Sequence, residues 1–184
     1  MNKTDAPNPI HKPIRKPKSA KAKKPSRTIL EKQIEAIAKL IVFWRDGSEC
    51  IERHIDGRRC GGGIQYGHYI PRAQSSWMKW NLGNTHAQCR NHNNLHDKGA
   101  QTMSAWFGNV LGNDVQKAFE KEVSEAIQGK WKYKIYELEA MLKEYDELYQ
   151  NRYYVDAGNL NELVEKGYYG NIIQRVFRER ISNE

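Results

Sequence analysis

Cys89 and His92 stand three positions apart, the C-x2-H spacing by which one tight turn offers two ligands to a single Zn2+ ion. A structural zinc site closes with four ligands, and the chain's other cysteines are Cys50 and Cys60, with His54 in reserve. The economical set is therefore Cys50, Cys60, Cys89 and His92. Around it, residues 67–99 hold four histidines (His68, His86, His92, His96) and five asparagines. Imidazoles and amides are costly to bury without partners, so an ordinary core has no use for this mixture. Hydrolysis of a phosphodiester does. There a histidine at a strand end takes a proton from water and an asparagine braces it. Asn93 or His96 on a following helix then helps hold a divalent ion, Mg2+ or Mn2+, that polarises the phosphate. Such an ion keeps several waters, so few protein ligands suffice. Taken singly, Cys89 reads as a small buried hydrophobe and His68 as a satisfied structural histidine. Beside Asn84, His86 and Asn93 the hydrolytic reading is the better one.

The elements that must position these groups follow from periodicity. Residues 46–66 read as loop and short strands, broken by Gly47, Gly57 and Gly61-Gly62-Gly63, with only Ile51, Ile55 and Ile64 as apolar anchors. A region so poor in apolar residues needs a staple, and a bound metal supplies one. Before it, Thr28 and Glu31 fit a capping box, and Leu30, Ile34, Ile37, Ile41 and Trp44 continue at helical spacing to about residue 45. After Gly99, three helices are expected. The first carries Met103, Trp106, Phe107, Val110 and Leu111. The second spans about 114–127, and the third, about 134–150, carries Ile135, Leu138, Leu142, Tyr145 and Tyr149. Residues 151–184 read as a short helical packing appendage.

The net charge is +8, and all of the excess lies in residues 1–27, where nine Lys or Arg face one acid; the rest balances at 21 of each. Five of the six prolines lie there too, with few large apolar residues, so the segment is expected to be a disordered arm. Its Lys12, Arg15, Lys16, Lys18, Lys21, Lys23, Lys24 and Arg27 suit DNA phosphates, gaining affinity by counterion release, although a purely solubilising tail has the same composition. No apolar run approaches the roughly 20 residues of a membrane span, and the basic start lacks an apolar secretory core, so a cytoplasmic protein is expected. An odd number of cysteines argues against a disulfide framework.

Gly67-His68-Tyr69-Ile70-Pro71, Asn84-Thr85-His86-Ala87-Gln88-Cys89, His92-Asn93 and Gly99 together resemble the pattern of the phage NinG (Rap) recombination family, of the HNH or His-Me finger nuclease type. The likeness is specific from about residue 60 to 99 and looser to residue 150. It implies an α+β, mostly helical fold with a small zinc-stabilised ββα (HNH/treble-clef-like) finger at about 46–99. Helices at about 28–45 and 101–150 complete a nuclease domain over 28–150. It implies a metal-dependent endonuclease acting on branched recombination intermediates such as Holliday junctions, in a phage- or prophage-carrying bacterial cell, with other recombination proteins or a second copy of the chain as possible partners. By position His68 matches the general base, Asn84 the bracing asparagine and Asn93 the catalytic-metal ligand. His86 matches a family histidine that supports the site or touches phosphate. The family's first C-x-x-C reads Cys60-Gly61-Gly62-Gly63 here, so Cys50 is expected to supply the missing ligand, and His92 stands for a cysteine. His92-x3-His96 also resembles the paired helix histidines of colicin-type nucleases, which leaves a rival set of His68, His92 and His96 around one ion. The alternative function is a non-catalytic zinc-finger DNA-binding protein, and a basic arm does not by itself distinguish DNA from RNA.

Overall fold

A computed structural model describes residues 24–53, 59–97, 102–128 and 132–182. Residues 1–23, with Lys12, Arg15, Lys16, Lys18, Lys21 and Lys23 of the expected arm, lie outside the described residues, as do His54 and Gly99. The first element is α1, Arg27–Arg45, with Leu30, Ile34, Ala38, Ile41 and Val42 buried along one face. Its cap is Ser26, not Thr28. The Ser26 carbonyl accepts the amides of Ile29 and Leu30 at 3.0 and 3.1 Å. Glu31, expected to close a capping box, pairs with Arg27 at 2.8 Å. Arg27 also donates to the Tyr133 carbonyl at 2.8 Å, so it belongs to the folded body rather than to the arm. Past α1, Gly47 (φ 64°) and Ser48 (φ 55°) are both left-handed and reverse the chain, with Ser48 N–H donating to the Phe43 carbonyl at 2.7 Å. That conformation is free for glycine and uncommon for serine.

Strand β1, Ile64–His68, pairs antiparallel with β2, Thr85–Cys89. The register sets Ile64 opposite Cys89 and His68 opposite Thr85. Helix α2, Arg90–Asp97, leaves β2 without a break, and a 16-residue connection carries Pro71 and Trp80 between the strands. The expected helix after Gly99 is two pieces: α3, Thr102–Trp106, runs into a π turn, Phe107–Leu111, that Gly112 (φ 100°) ends. Then come α4, Asn113–Gln128, α5, Ile135–Asn151, α6, Leu160–Glu165, and α7, Gly170–Ile181. The architecture is α+β, mostly helical, with one two-stranded sheet among the described residues.

Helix α1 packs along α5, and α7 packs against α4 and the 3-10 turn Leu82–Asn84. The last 34 residues are not an edge ornament. Leu163, Val164, Tyr168, Ile172 and Ile173 join Leu30, Phe107 and Phe119 in one buried cluster. Each such side chain contributes roughly 1.5–3 kcal/mol of burial. The hairpin is different: Asn84, Thr85, His86, Gln88 and His92 are 0 % exposed yet polar. Buried polar groups persist only with partners, and those partners define the site. No described helix is long and apolar enough to cross a membrane.

Candidate metal centre and active site

At the Ile64–Cys89 end of the hairpin, four groups converge. His92 Nδ1 lies 3.1 Å from Cys89 Sγ, 3.3 Å from Cys50 Sγ and 3.7 Å from Cys60 Sγ. All four ligand atoms lie within 4.8 Å of one another. Zinc bonds of about 2.3 Å to sulfur and 2.0 Å to nitrogen, set tetrahedrally, put such atoms roughly 3.6 Å apart, so the spacing fits one ion. Cys50, Cys60, Cys89 and His92 are positioned to hold a metal ion, and three sulfurs with one imidazole suit Zn2+.

Each ligand arrives by its own route. Cys89 ends β2 and His92 sits on the first turn of α2, whose His92 N–H points at Cys89 Sγ at 3.5 Å. Cys50 comes from the reversal after α1, where Ile51 N–H donates to the Ala87 carbonyl at 3.0 Å. Cys60 is brought in by the glycine run, since Gly61 and Gly63 carbonyls accept the amides of Asn91 and Arg90 at 3.2 and 3.1 Å. Gly62 (φ 75°) lies against the Arg90 side chain, where a Cβ would be 2.7 Å from Arg90 Cβ, so no other residue fits well. Burial opposes ionisation of Cys89, but hydrogen bonds from His92 and Gly61 bring its thiol down to about 7. Burial pushes Cys50 up to about 12 and raises Cys60 as well. The two raised thiols, Cys50 and Cys60, would give up their protons to a bound cation.

The opposite end, at His68 and Thr85, is held by hydrogen bonds. His68 is 8 % exposed, and its Nε2 lies 3.0 Å from the Lys79 carbonyl. A carbonyl only accepts, so Nε2 carries the proton and a neutral ring leaves Nδ1 as a free lone pair. Burial holds its pKa down to about 4, and the Tyr66 ring meets it edge-on at 5.1 Å. Asn84 fixes the connection that supplies that carbonyl. Its Nδ2 donates to the Ile70 and Met78 carbonyls at 3.0 and 3.1 Å, and its Oδ1 accepts Ile70 N–H at 2.7 Å.

His86 is 0 % exposed, so it does not touch a substrate phosphate. Arg45 Nη2 donates to its Nδ1 at 2.9 Å, its Nε2 donates to the Gly83 carbonyl at 3.3 Å, and Trp106 covers it at 4.3 Å. Burial lowers its pKa, and the Arg45 charge adds to that. Arg45 also donates to the carbonyls of Leu82, Thr85 and Tyr168 and pairs with Asp46 at 2.6 Å. Asp46 in turn accepts Ala87 N–H at 2.8 Å. Burial would raise the Asp46 pKa, but Arg45 and His86 hold it far below the usual carboxylate range. Nothing in the spacing of Arg45 and Asp46 announces this network.

Asn93 Nδ2 donates to Gln65 Oε1 at 2.9 Å. Gln65 lies three residues, roughly 10 Å of strand, from His68. The His96 side chain lies outside the described ones; Asn93 Oδ1 is one neutral oxygen, too little to hold a Mg2+ or Mn2+ ion by itself. Four charged groups complete the His68 side. Glu35 on α1 receives Lys39 at 3.2 Å, Arg72 at 3.8 Å and Lys79 at 4.0 Å. Burial works to raise the Glu35 pKa, but these three cations bring it below the ordinary value.

Compared with family models, with curated proteins and with solved structures, the chain matches none. Fold and site thus define an α+β, mostly helical protein with a Cys3His cluster positioned to hold a metal ion.

Proposed function

We propose that the protein is an HNH-type DNA endonuclease whose hairpin and α2 form a zinc-stabilised ββα finger, acting on branched recombination intermediates. The observation that carries the reading is His68: its Nε2–H is committed to the Lys79 carbonyl at 3.0 Å, which leaves Nδ1 as the unprotonated ring nitrogen. That tautomer is the one a general base needs. Water at Nδ1 gives up its proton as its oxygen attacks phosphorus, the P–O bond to the leaving sugar oxygen breaks and that oxygen takes a proton from solvent, and the Lys79 carbonyl steadies the imidazolium that forms at His68. A pKa of about 4 makes the free imidazole a weak base. An anionic phosphate beside it raises that value toward the working range. Asn84 keeps the Lys79 carbonyl where His68 needs it by tying Ile70 to Met78.

The Cys3His cluster plays a structural part in this reading, holding the start of α2 against the reversal at Cys50. A divalent ion, Mg2+ or Mn2+, would supply charge neutralisation at the phosphate, although Asn93, expected from the sequence to help hold it, lies beside Gln65 at the far end of β1 from His68. Asn93 is engaged by Gln65, and that observation favours the second reading, a zinc-finger DNA-binding protein without catalysis. The deciding experiment is incubation of four-way junctions, flaps and linear duplex with the protein and Mg2+ or Mn2+, beside His68→Ala. Cleavage by the wild-type protein that His68→Ala abolishes while still binding DNA supports the nuclease. Binding without cleavage by either leaves the binding protein as the answer.

A further inference from the structure

Three cations share one carboxylate beside His68. Lys39 lies on α1, Arg72 and Lys79 on the connection between the strands, and Glu35 is the one acid among them. The pairing is uneven: Lys39 sits close, whereas Arg72 at 3.8 Å and Lys79 at 4.0 Å stand at the limit of an ion pair. Two positive charges are left over, and like charges gathered this closely repel. The side chains stay accessible, at 44 % for Lys39, 55 % for Arg72 and 30 % for Lys79. Their backbones are firmly placed. Asn84 ties the two ends of the Ile70–Met78 loop, and Tyr133 and Tyr145 hydroxyls donate to the Trp77 and Trp80 carbonyls at 3.2 and 2.7 Å. The two ammonium groups also lie over aromatic rings, Lys39 over Tyr66 at 5.9 Å and Lys79 over Trp80 at 4.7 Å. Tyr66 is the ring that meets His68 edge-on, and Lys79 is the residue whose carbonyl orients His68.

We propose that Lys39, Arg72 and Lys79 form a phosphate clamp that seats a phosphodiester of DNA beside His68, with Glu35 holding the three apart from solvent anions until DNA arrives. The clamp rests on the reading of the protein as acting on DNA. An anion that enters the cluster takes up the surplus charge that Glu35 leaves, and Arg72 offers the fork that matches two phosphate oxygens. Lys79 thereby does two jobs, its carbonyl aligning the imidazole and its ammonium drawing in the phosphate that the imidazole serves.

The test is binding of a labelled four-way junction to the full chain by fluorescence anisotropy, over a range of salt and without added divalent ion. Lys39→Gln, Arg72→Gln and Lys79→Gln should each weaken binding roughly tenfold at 0.1 M salt and cut the salt slope by about one. Lys143→Gln, whose ammonium pairs on α5 with Glu147 at 3.6 Å, is the charge-matched control and should change neither. Glu35→Gln frees the clamp and should tighten binding more than Glu139→Gln on α5. A salt-bridge network with a purely structural role gives the reverse: cluster variants that match Lys143→Gln in slope, and a Glu35→Gln protein that binds no better than Glu139→Gln. Either result overturns the clamp. Melting temperatures identify any variant that has lost its fold, and Arg72→Lys, which keeps the charge, then decides: retained slope supports the clamp and a slope matching Arg72→Gln overturns it. Failure of the wild-type protein to cleave with Mg2+ or Mn2+ speaks against the nuclease and leaves these binding differences readable.

Discussion

The two ends of one hairpin of five-residue strands are held by opposite means. At the Ile64–Cys89 pair, four side chains from three separate segments meet at a point and are positioned to hold a metal ion. At the His68–Thr85 pair, Asn84, Arg45 and the Lys79 carbonyl make a dense set of hydrogen bonds, and no ion is needed to hold the shape. On the proposed reading, the first end depends on a bound ion for its shape. The second is held by its own hydrogen bonds, the kind of rigid setting that the proposed general base would use. On the proposed reading, a metal that staples one end of the hairpin leaves the other free for chemistry.

That contrast can be broken most forcefully from the metal end. Cys50→Ser or Cys89→Ser should abolish stoichiometric zinc by metal analysis and lower the melting temperature sharply, because structural zinc contributes on the order of 10 kcal/mol to small sites. Zinc affinity should rise with pH through the titration of the thiols, since Cys50 and Cys60 are raised and must shed their protons to bind. At the other end, His68→Ala should cost about 10^2–10^4-fold in cleavage rate with little change in zinc content. Arg45→Met removes one partner of a buried pair and should destabilise by about 3–5 kcal/mol, read from denaturant unfolding, again with zinc retained if the two ends are independent. The smallest effect is in pH. An unfolded imidazole near 6.5 binds protons more readily than His68 at about 4, so stability is intact above about 6.5 and falls as the pH drops toward 4. His68→Gln should flatten that window, and an unchanged profile would assign the acid sensitivity elsewhere.

Much of the metal end was legible because ligand chemistry is local and scarce: three cysteines and one C-x2-H spacing leave few ways to complete four ligands. The helices were legible from their apolar stripes, as with Leu30, Ile34 and Ile41. The His68 end was legible only in part. Asn84 was expected as a brace, and it does tie the connection together, but Arg45 lies 41 residues from His86 and 40 from Thr85, and Asp46 lies 41 from Ala87, and sequence spacing carries no trace of such contacts. Lys39 and Glu35 look like any solvated helix face until the fold sets Arg72 and Lys79 beside them. His86 shows the converse. Its place in a motif reads as chemistry, whereas Arg45, Gly83 and Trp106 take up all of its ring.

Arg45 has one further consequence. Its guanidinium reaches the carbonyls of Leu82 and Thr85 in the hairpin and of Tyr168 near the C-terminus. The hairpin is therefore not a portable cassette. Grafted into another protein, or expressed as residues 46–99, it would lose the donor that satisfies its buried carbonyls. A chain cut after residue 150 would keep that donor but strip the surface on which it rests, since the Tyr169 ring lies 4.2 Å beneath the Arg45 guanidinium.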